Sequence, residues 1–392
     1  MDYPLEDLKI LDFTYLLPGP FGTMMLADMG ADIIKIENPK NPDLMRYVPP
    51  FVDDISAAYM QVNRGKRSLC ADLSTDEGRE IVYRLAKEYD IVIEQFRPGV
   101  MEKLGLGYGR LREINPSIIY CSLTGYGSTG SYARRAGHDI NYLSLTGVES
   151  WSGRKDTGPS LHGIQIADLG GGSKNLVIGV LAACIRRMRT GAGERIDVSI
   201  TDSVFSLSVF DTAGFLAGGR QPLPGEEVLN GGSLYDFYRT EDGRYLSAGP
   251  IEPKFLVNFC EALGMSDILA NGVLTNEQVL EAKQHISARI ASKPLNYWVS
   301  CFRSVDACVE PVRTLDEAVS LPPLIERDMV IQVHNQFGTG VSQIGNPIKF
   351  DSGNYTAGFA GVTPGYHNES ILDSLGYSPD DIVKLRKRGV LG

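Results

Sequence analysis

The sequence predicts an α/β protein with two domains, and three observations support this. At 392 residues the chain exceeds what one hydrophobic core normally supports. Short apolar strand patterns alternate with helical patterns through its first half, which is typical of parallel sheets covered by helices. A break rich in glycine and proline at residues 218–225 predicts a domain boundary, and strand-and-loop patterns return from about residue 330.

The first predicted β-α-β unit contains a turn suited to ligand binding. Residues 8–13 and 33–37 are the predicted buried strands, and the spacing of Phe21, Met24 and Met29 predicts the helix between them. The turn before this helix contains Pro18-Gly19-Pro20, and proline is tolerated best near a helix start. Open α/β sheets bind ligands at such carboxyl ends of strands.

A cluster of cations follows in a chain that is acidic overall. Arg64, Lys66 and Arg67 lie within four residues around Gly65, and Arg97 follows the predicted strand at 91–96. The cluster has two interpretations, a solvated surface loop or a phosphate contact made by cations beside a glycine.

The segment 125–130 matches the G-x-G-x-x-G pattern after a predicted strand at 118–124. A dinucleotide site would require a long amphipathic helix directly after this loop, and the sequence shows none there. We therefore expect no nicotinamide site, and we interpret the loop as the glycine-rich lead into His138.

The candidate reactive residues are His138 and Asp168, thirty positions apart in a chain with only five histidines. An imidazole and a carboxylate are the usual partners for proton transfer near neutral pH. Asp168 precedes three glycines and lies at the start of a predicted helix over 170–189. It could cap that helix. Alternatively it faces a cleft, where the glycines leave room for a ligand and helix N–H groups hold an oxyanion.

Composition excludes several classes of protein. The net charge of −10 argues against nucleic-acid binding and against a basic membrane-surface protein. Six cysteines without C-x-x-C spacing indicate reduced thiols in a cytoplasmic protein and no metal site. The longest apolar run, at 176–184, is shorter than the ~20 residues of a membrane span, and the N-terminus lacks an apolar signal region.

The second half of the chain predicts a smaller mixed domain. An apolar segment over 202–216 precedes the break, and a hairpin over 235–249 follows it. Ile251-Glu252-Pro253 then fixes a carboxylate in extended backbone before a proline. Helices are predicted near 255–263, 276–290, 296–304 and 378–388, and a strand near 308–312.

Together these motifs resemble the alpha-methylacyl-CoA racemases, a branch of the class III (CaiB/BaiF-type) CoA-transferase superfamily. The resemblance runs nearly end to end and includes Pro18-Gly19-Pro20-Phe21, the segment 64–68, Gly137 to Tyr142, Asp168 with its glycines and Ile251-Glu252-Pro253. It implies a Rossmann-like large domain built from residues 1–217 and 330–392, with a smaller α+β domain at 218–329. It further implies that two subunits interlock as rings in a homodimer.

The same resemblance implies an acyl-CoA substrate and no metal or nicotinamide cofactor. The implied catalytic residues are His138, Asp168 and Glu252, with Glu252 arriving from the other subunit to orient His138. The implied contacts to CoA and substrate are Arg64, Lys66, Arg97, Gly137, Asp139, Ile140, Asn141 and Tyr142.

Three activities remain open at this stage. Epimerisation of a 2-methylacyl-CoA requires one proton-transfer group on each face of an enolate, so His138 beside Asp168 favours it. A CoA-transferase requires only a nucleophilic carboxylate, the role that Asp168 would then have. A non-catalytic binder of CoA thioesters is the third. Two positions depart from the racemase pattern, Asn38 in place of an arginine and Ile164 in place of an asparagine.

Overall fold

The computed structural model describes residues 3–269, 275–353 and 355–392, and the chain divides into two compact units. The first unit comprises Met1–Thr146, His162–Leu207 and Pro322–Gly392, and the second comprises Gly147–Leu161 and Ser208–Leu321. The divisions lie at 207/208 and 321/322, whereas the predicted ones lie at 217/218 and 329/330. The first lies earlier because the apolar segment breaks into two helices at Ser208. The predicted domains also include residues 1, 2, 270–274 and 354, which lie outside the described residues.

The first unit is built on a parallel sheet of six strands, which confirms the α/β class. The strands of its N-terminal part are β1 (Lys9–Phe13), β2 (Asp32–Glu37), β3 (Phe51–Val52), β4 (Ile55–Ser56), β5 (Lys66–Cys70), β6 (Ile91–Glu94), β7 (Ile119–Thr124) and β8 (Glu194–Ser199). The order across the sheet is β5-β2-β1-β6-β7-β8, and β3 pairs with β4 in a separate ribbon. The chain winds outward on one side of β1 and then on the other, so the switch point lies between β1 and β6, where such sheets bind ligands.

Helices cover this sheet. They are α1 (Pro18–Asp28), α2 (Ala57–Val62), α3 (Asp76–Leu85), α4 (Val100–Lys103), α5 (Tyr108–Ile114), α6 (Asp139–Leu145), α7 (Lys174–Thr190) and α8 (Ile200–Leu207), with a 3₁₀ turn at Leu44–Tyr47. Gly19 begins α1 so close to β1 that a Cβ there would lie 2.3 Å from Thr14 Cβ. Glycine at this position therefore lets the helix start directly over the end of the strand.

A π-helical stretch, Ile166–Ser173, runs directly into α7. The helix predicted to begin at residue 170 therefore begins at Ile166, because the π-helical turns extend it toward the N-terminus beyond Asp168. By length and composition alone the combined stretch Ile166–Thr190 could cross a membrane, a test that core helices of soluble proteins also pass. Here α7 packs on β7 and β8, and Leu176 and Val180 are buried.

The second unit has its own core. Its elements are α9 (Val209–Leu216), β9 (Asp236–Arg239), β10 (Tyr245–Ala248), α10 (Pro253–Leu263), α11 (Asn276–Ile290), α12 (Leu295–Phe302), β11 (Val309–Pro311) and α13 (Leu315–Ala318), with 3₁₀ turns at Val148–Ser150 and Ser266–Leu269. The predicted hairpin is β9 and β10, and β11 pairs with β10. Trp298, Phe259 and Phe302 pack at the centre of this core.

The C-terminal segment completes the first unit. It contains α14 (Pro322–Glu326), β12 (Val330–His334), β13 (Gly340–Ile344), α15 (Asn368–Ser374) and α16 (Pro379–Lys387). The Asn368 side-chain oxygen accepts a hydrogen bond from the Cys70 amide at 2.9 Å, and Ile371 and Leu385 lie in the core behind β5. Both ends of the chain therefore build one hydrophobic core.

Candidate functional site

Asp168 lies in the π-helical stretch beside the start of α1, at the ligand-binding edge of the sheet. The Ser173 hydroxyl donates hydrogen bonds to the carbonyls of Asp168 and Pro18, and so ties the stretch to the turn after β1. Stretches of π-helix are rare and are frequent at functional sites. No local pattern in the sequence predicts these wider turns.

The Asp168 carboxyl is partly buried, and no cation among the described residues pairs with it. Burial, and then the charge of Asp139, raise its pKa to about 7. Within the described residues no donor bonds this carboxyl, and the residue before the helical stretch is Gln165. The interpretation of Asp168 as a helix cap is therefore wrong, because its side chain satisfies no helix N–H group.

The segment from Gly137 to Tyr142 supports Asp168 directly. The Asp168 amide donates a hydrogen bond to Asp139 Oδ1 at 3.0 Å. The Tyr142 hydroxyl donates to the Gly137 carbonyl at 2.7 Å, and burial, with the charge of Asp168, raises the Tyr142 pKa. Asp139 thus acts as a support for Asp168, a function that its position next to His138 did not reveal.

His138 is the N-cap residue directly before α6, and it is exposed. Its amide donates to Asn141 Oδ1 at 3.0 Å, which fixes the start of the helix. Because the neighbouring Asp139 bonds the Asp168 amide, the backbones of His138 and Asp168 are close together. Among the described residues no hydrogen bond or ion pair joins their two side chains.

The three glycines after Asp168 differ in their surroundings. A Cβ on Gly172 would lie 2.9 Å from Ile200 Cγ1, and one on Gly171 3.2 Å from Ser203 Cβ, so both serve packing against α8. A Cβ on Gly170 would meet nothing closer than 4.0 Å, so only this glycine borders open space. The Leu169 amide bonds the Gln165 carbonyl at 3.0 Å. The amides of Asp168 and Leu169 are thus engaged within the protein, and an oxyanion contact by other N–H groups of this helix start stays a prediction.

Arg64 and Lys66 lie in the interior, not on a surface loop. Arg64 donates to the Asp28 carboxylate at 2.6 and 2.7 Å and to the Ile344 carbonyl at 2.6 Å. Lys66 Nζ lies 3.1 Å from Asp12 Oδ2, and its side chain is 1% exposed. Their donors are used within the protein, so the predicted phosphate contacts by Arg64 and Lys66 lose their support.

The remaining predicted contacts are more accessible. Arg97 is exposed after β6, and Ile140 is exposed on α6. Glu252 belongs to the second unit and lies on the surface directly before α10. The pKa of Cys308 is raised, first by burial of the thiol and then by the charge of Glu252. Its predicted action on His138 of another subunit stays a prediction. Of the two departures from the racemase pattern, Ile164 is exposed and Asn38 lies 3.5 Å from Asp72.

A buried ionic network that was not predicted from the sequence lies beside the site. Asp12 accepts hydrogen bonds from Thr14 and Thr23, and Lys35 Nζ lies 3.1 Å from Asp43 Oδ2. The signal was present in the sequence, because Asp12 and Lys35 interrupt strands that are otherwise apolar. Groups of three or more His, Cys, Asp or Glu able to hold a metal ion do not occur among the residues that the structure describes.

Comparison with known proteins places this geometry in context. A sequence model of the family described as CoA-transferase family III matches residues 5–366. The human protein named alpha-methylacyl-CoA racemase is 35% identical over 99% of this chain and 97% of its own length. The succinate–glutarate CoA-transferase of Agrobacterium fabrum is 33% identical over 88% of this chain and 89% of its own. A crystal structure of a CaiB/BaiF family protein from Brucella suis superposes with a TM-score of 0.83 at 29% identity, covering 96% of this chain and all of that one.

Proposed function

The chain belongs to CoA-transferase family III, and from this membership we propose that it epimerises the α-carbon of 2-methylacyl-CoA thioesters. The proton on that carbon leaves to one protein group, and a proton returns to the opposite face from another. The intermediate is the planar enolate of the thioester. The reaction as proposed requires no metal or redox cofactor.

The observation that carries this proposal is the environment of Asp168. With a pKa of about 7, the carboxyl is both a competent acid and a competent base near neutral pH. A nucleophilic carboxylate would gain from a cation that keeps it ionised, and within the described residues Asp168 has no such partner. Proton transfer therefore fits this carboxyl better than acyl transfer does.

His138 is the second proton-transfer group of the proposal. It directly precedes helix α6, whose first residue, Asp139, accepts a hydrogen bond from the Asp168 amide. This hydrogen bond connects the segments that carry the two candidate groups. An imidazole can take up and release a proton near neutral pH. We assign His138 to one face of the enolate and Asp168 to the other.

The relatives support the same choice. The human and mouse proteins named alpha-methylacyl-CoA racemase match at 35% and 32% identity over nearly the whole chain. A 2-methylacyl-CoA is the substrate that this similarity indicates. Arg97 remains as a cation for its phosphates, and Glu252 as a carboxylate that orients His138.

CoA transfer is the second candidate, and two observations favour it. The similarity to the succinate–glutarate CoA-transferase is nearly as high, at 33% identity. His138 and Asp168 also share no hydrogen bond among the described side chains, so Asp168 could act alone as a nucleophile.

We further propose that the working form is an intertwined homodimer to which each subunit contributes Glu252. Helix α9 is largely apolar, yet none of its residues is buried within one chain. Val209, Phe210 and Leu216 are 66%, 65% and 72% exposed. Contiguous exposed apolar residues are typical of protein interfaces, so a second subunit is the natural cover.

Mass spectrometry of a 2-methylacyl-CoA incubated in heavy water, with and without a labelled acceptor acid, tests the proposal. Epimerisation places deuterium at C2 without any acceptor. Transfer instead moves CoA to the labelled acid. Absence of both reactions, with the ester still bound, would identify a binding protein.

The variant His138→Ala sharpens this test. We expect it to lose C2 exchange while binding the ester, and we expect the matched surface variant His285→Ala to exchange normally. Full exchange in His138→Ala would remove the imidazole from the mechanism.

A further inference from the structure

A row of polar side chains crosses one face of the sheet at the carboxyl ends of β6, β7 and β8. Glu94 pairs in register with Ser122, and Ser122 pairs with Asp197. Register partners in a parallel sheet share a face, and so do alternate residues along a strand. Thr124 and Arg195 therefore lie on this face as well.

This face is the one turned away from α7. Gly179 of α7 lies against Ile196, where a Cβ would come within 3.2 Å of Ile196 Cγ2, and Gly172 lies against Leu123. Ile196 and Leu123 alternate with the polar residues along their strands. The polar row and the helical stretch that holds Asp168 are thus on opposite faces of the sheet.

A cleft of about 470 Å³ lies over the polar row, closed on one side by α4. A second hollow of about 380 Å³ adjoins it and shares Pro98, Gly99, Ser128 and Thr129 as walls. We call the two together the β6–β8 cleft. Its size suits a small organic ligand, since ligand pockets commonly enclose roughly 300–1,000 Å³.

Three arginines line the β6–β8 cleft, namely Arg97, Arg134 and Arg195. Elsewhere in the first unit, Arg64, Arg46 and Arg67 are bonded to carboxylates. In the described chain the guanidinium groups of the three cleft arginines make no hydrogen bond and no ion pair. Their guanidinium groups are therefore available to bind a ligand.

The floor of the cleft holds buried polar residues, among them Glu94 and Thr124. Thr124 is 7% exposed, and its hydroxyl is buried without a hydrogen-bond partner. Glu94 is 6% exposed and accepts a hydrogen bond from the Phe96 amide at 2.8 Å. Burial raises the pKa of Glu94 to about 7. Buried polar groups usually have partners, so the Thr124 hydroxyl, which has none among the described residues, points to an occupant.

We propose that the β6–β8 cleft binds a nucleoside phosphate, with Arg97, Arg134 and Arg195 on its phosphates and Glu94 with Thr124 on its sugar. The planar fork of an arginine matches phosphate oxygens in pairs. A carboxyl at a strand's carboxyl end can accept hydrogen bonds from ribose hydroxyls, as in dinucleotide folds. Asp197 and Glu102 also line the cleft. Asp197 accepts hydrogen bonds from the amide and the hydroxyl of Ser128, each at 2.9 Å.

Two sources could supply this group, the nucleotide end of CoA or a free nucleotide. The first source rests on the proposed function, and the second does not. Since Arg64 and Lys66 are engaged in the interior, the phosphates of a bound CoA require other cations, and the cleft supplies three.

Calorimetric titration of the full-length protein with ADP tests the proposal. We expect binding by the wild type, and we expect Arg195→Gln and Arg134→Gln each to weaken it about tenfold, as loss of a charge-assisted hydrogen bond does. Arg189→Gln, which removes an exposed arginine from the last turn of α7, is the matched control and should bind ADP within about twofold of the wild type.

The source is resolved by titrating ADP in the presence of saturating CoA. Mutual exclusion assigns the cleft to the nucleotide end of CoA, and simultaneous binding assigns it to a free nucleotide. Asp168→Asn should bind ADP normally while losing C2 exchange, so failure of the proposed reaction leaves this test intact. Lack of binding of both ADP and inorganic pyrophosphate by the wild type would overturn the proposal, as would unchanged binding in both cleft variants.

Discussion

Asp12 and Asp168 are two carboxylates in one unit, near the same edge of one sheet, with opposite acidity. Burial by itself would raise the pKa of Asp12, but the charges of Lys66 and Lys35 and hydrogen bonds from Thr14 and Thr23 outweigh it and lower the pKa to about 2. Asp168 is less buried, yet burial and the charge of Asp139 raise its pKa to about 7. The difference lies in the partners of each carboxylate, because only Asp12 has cations beside it.

This contrast separates a structural acid from a reactive one. Asp12 is fixed as an anion whose bonds hold β1, β5 and α1 together. Asp168 can exchange a proton at physiological pH, and its backbone, not its carboxyl, makes the bonds that position it. Perturbed acidity at the ligand-binding edge of a sheet marks a candidate reactive group.

The largest expected effect is on activity in Asp168→Asn. The amide cannot exchange a proton, so C2 exchange should fall by about 10³-fold, within the range for loss of a general acid–base group. The unfolding transition should not weaken, because the carboxyl makes no hydrogen bond within the described chain. Deuterium incorporation and urea denaturation measure the two quantities. Wild-type C2 exchange in this variant would show that Asp168 is not the acid–base group.

The second effect is on stability in Asp12→Asn. Loss of this charge leaves Lys66 and Lys35 poorly compensated in the interior, and breaking a buried pair costs about 3 kcal/mol or more. Urea denaturation should show this loss, whereas Asp7→Asn on the surface should change the free energy of unfolding by less than about 0.5 kcal/mol. An Asp12→Asn protein of wild-type stability would contradict the network's structural role.

Much of the fold followed from periodicity. The predicted helix at 276–290 has the same bounds in the structure, and the predicted parallel strands are present within a few residues. The division between the units was harder to predict, because the excursion of residues 147–161 into the second unit depends on tertiary contacts. Apolar spacing contains no information about such a contact.

The candidate site was predicted as a set of residue types, and the contacts that join them were not predicted. His138, Asp139 and Asp168 were named from their motifs, yet the hydrogen bond from the Asp168 amide to Asp139 spans twenty-nine positions and has no local signal. Arg64 and Lys66 were assigned to phosphate because they are cations beside a glycine. Their burial against Asp28 and Asp12 follows from the packing of separate strands and helices, which the local sequence does not encode.

A smaller effect concerns the pH dependence of stability. A carboxyl whose pKa is raised on folding contributes stability at low pH that is lost as pH rises from about 4 through 7. Asp168→Asn removes this pH-dependent contribution to the free energy of unfolding. The free energy of unfolding of the variant minus that of the wild type should therefore be higher at pH 8 than at pH 5, by about 1–2 kcal/mol after allowance for partial exposure. Denaturation at both pH values measures the difference. The opposite sign would mean that Asp168 has an unseen cationic partner.

The smallest effect tests how Asp168 is held without a cation. Gly172→Ala places a methyl 2.9 Å from Ile200 Cγ1, so α8 must shift, and the expected cost is about 1 kcal/mol. Gly170→Ala meets open space and should change the free energy of unfolding by less than about 0.5 kcal/mol. Urea denaturation compares the two, and C2 exchange shows whether either moves the carboxyl. If Gly172→Ala alone reduces exchange, close packing of the π-helical stretch on α8 positions Asp168, as ion pairs position Asp12. Equal effects at both glycines would mean that Asp168 is held without that packing, by the hydrogen bond that its amide donates to Asp139 and the one that its carbonyl accepts from Ser173.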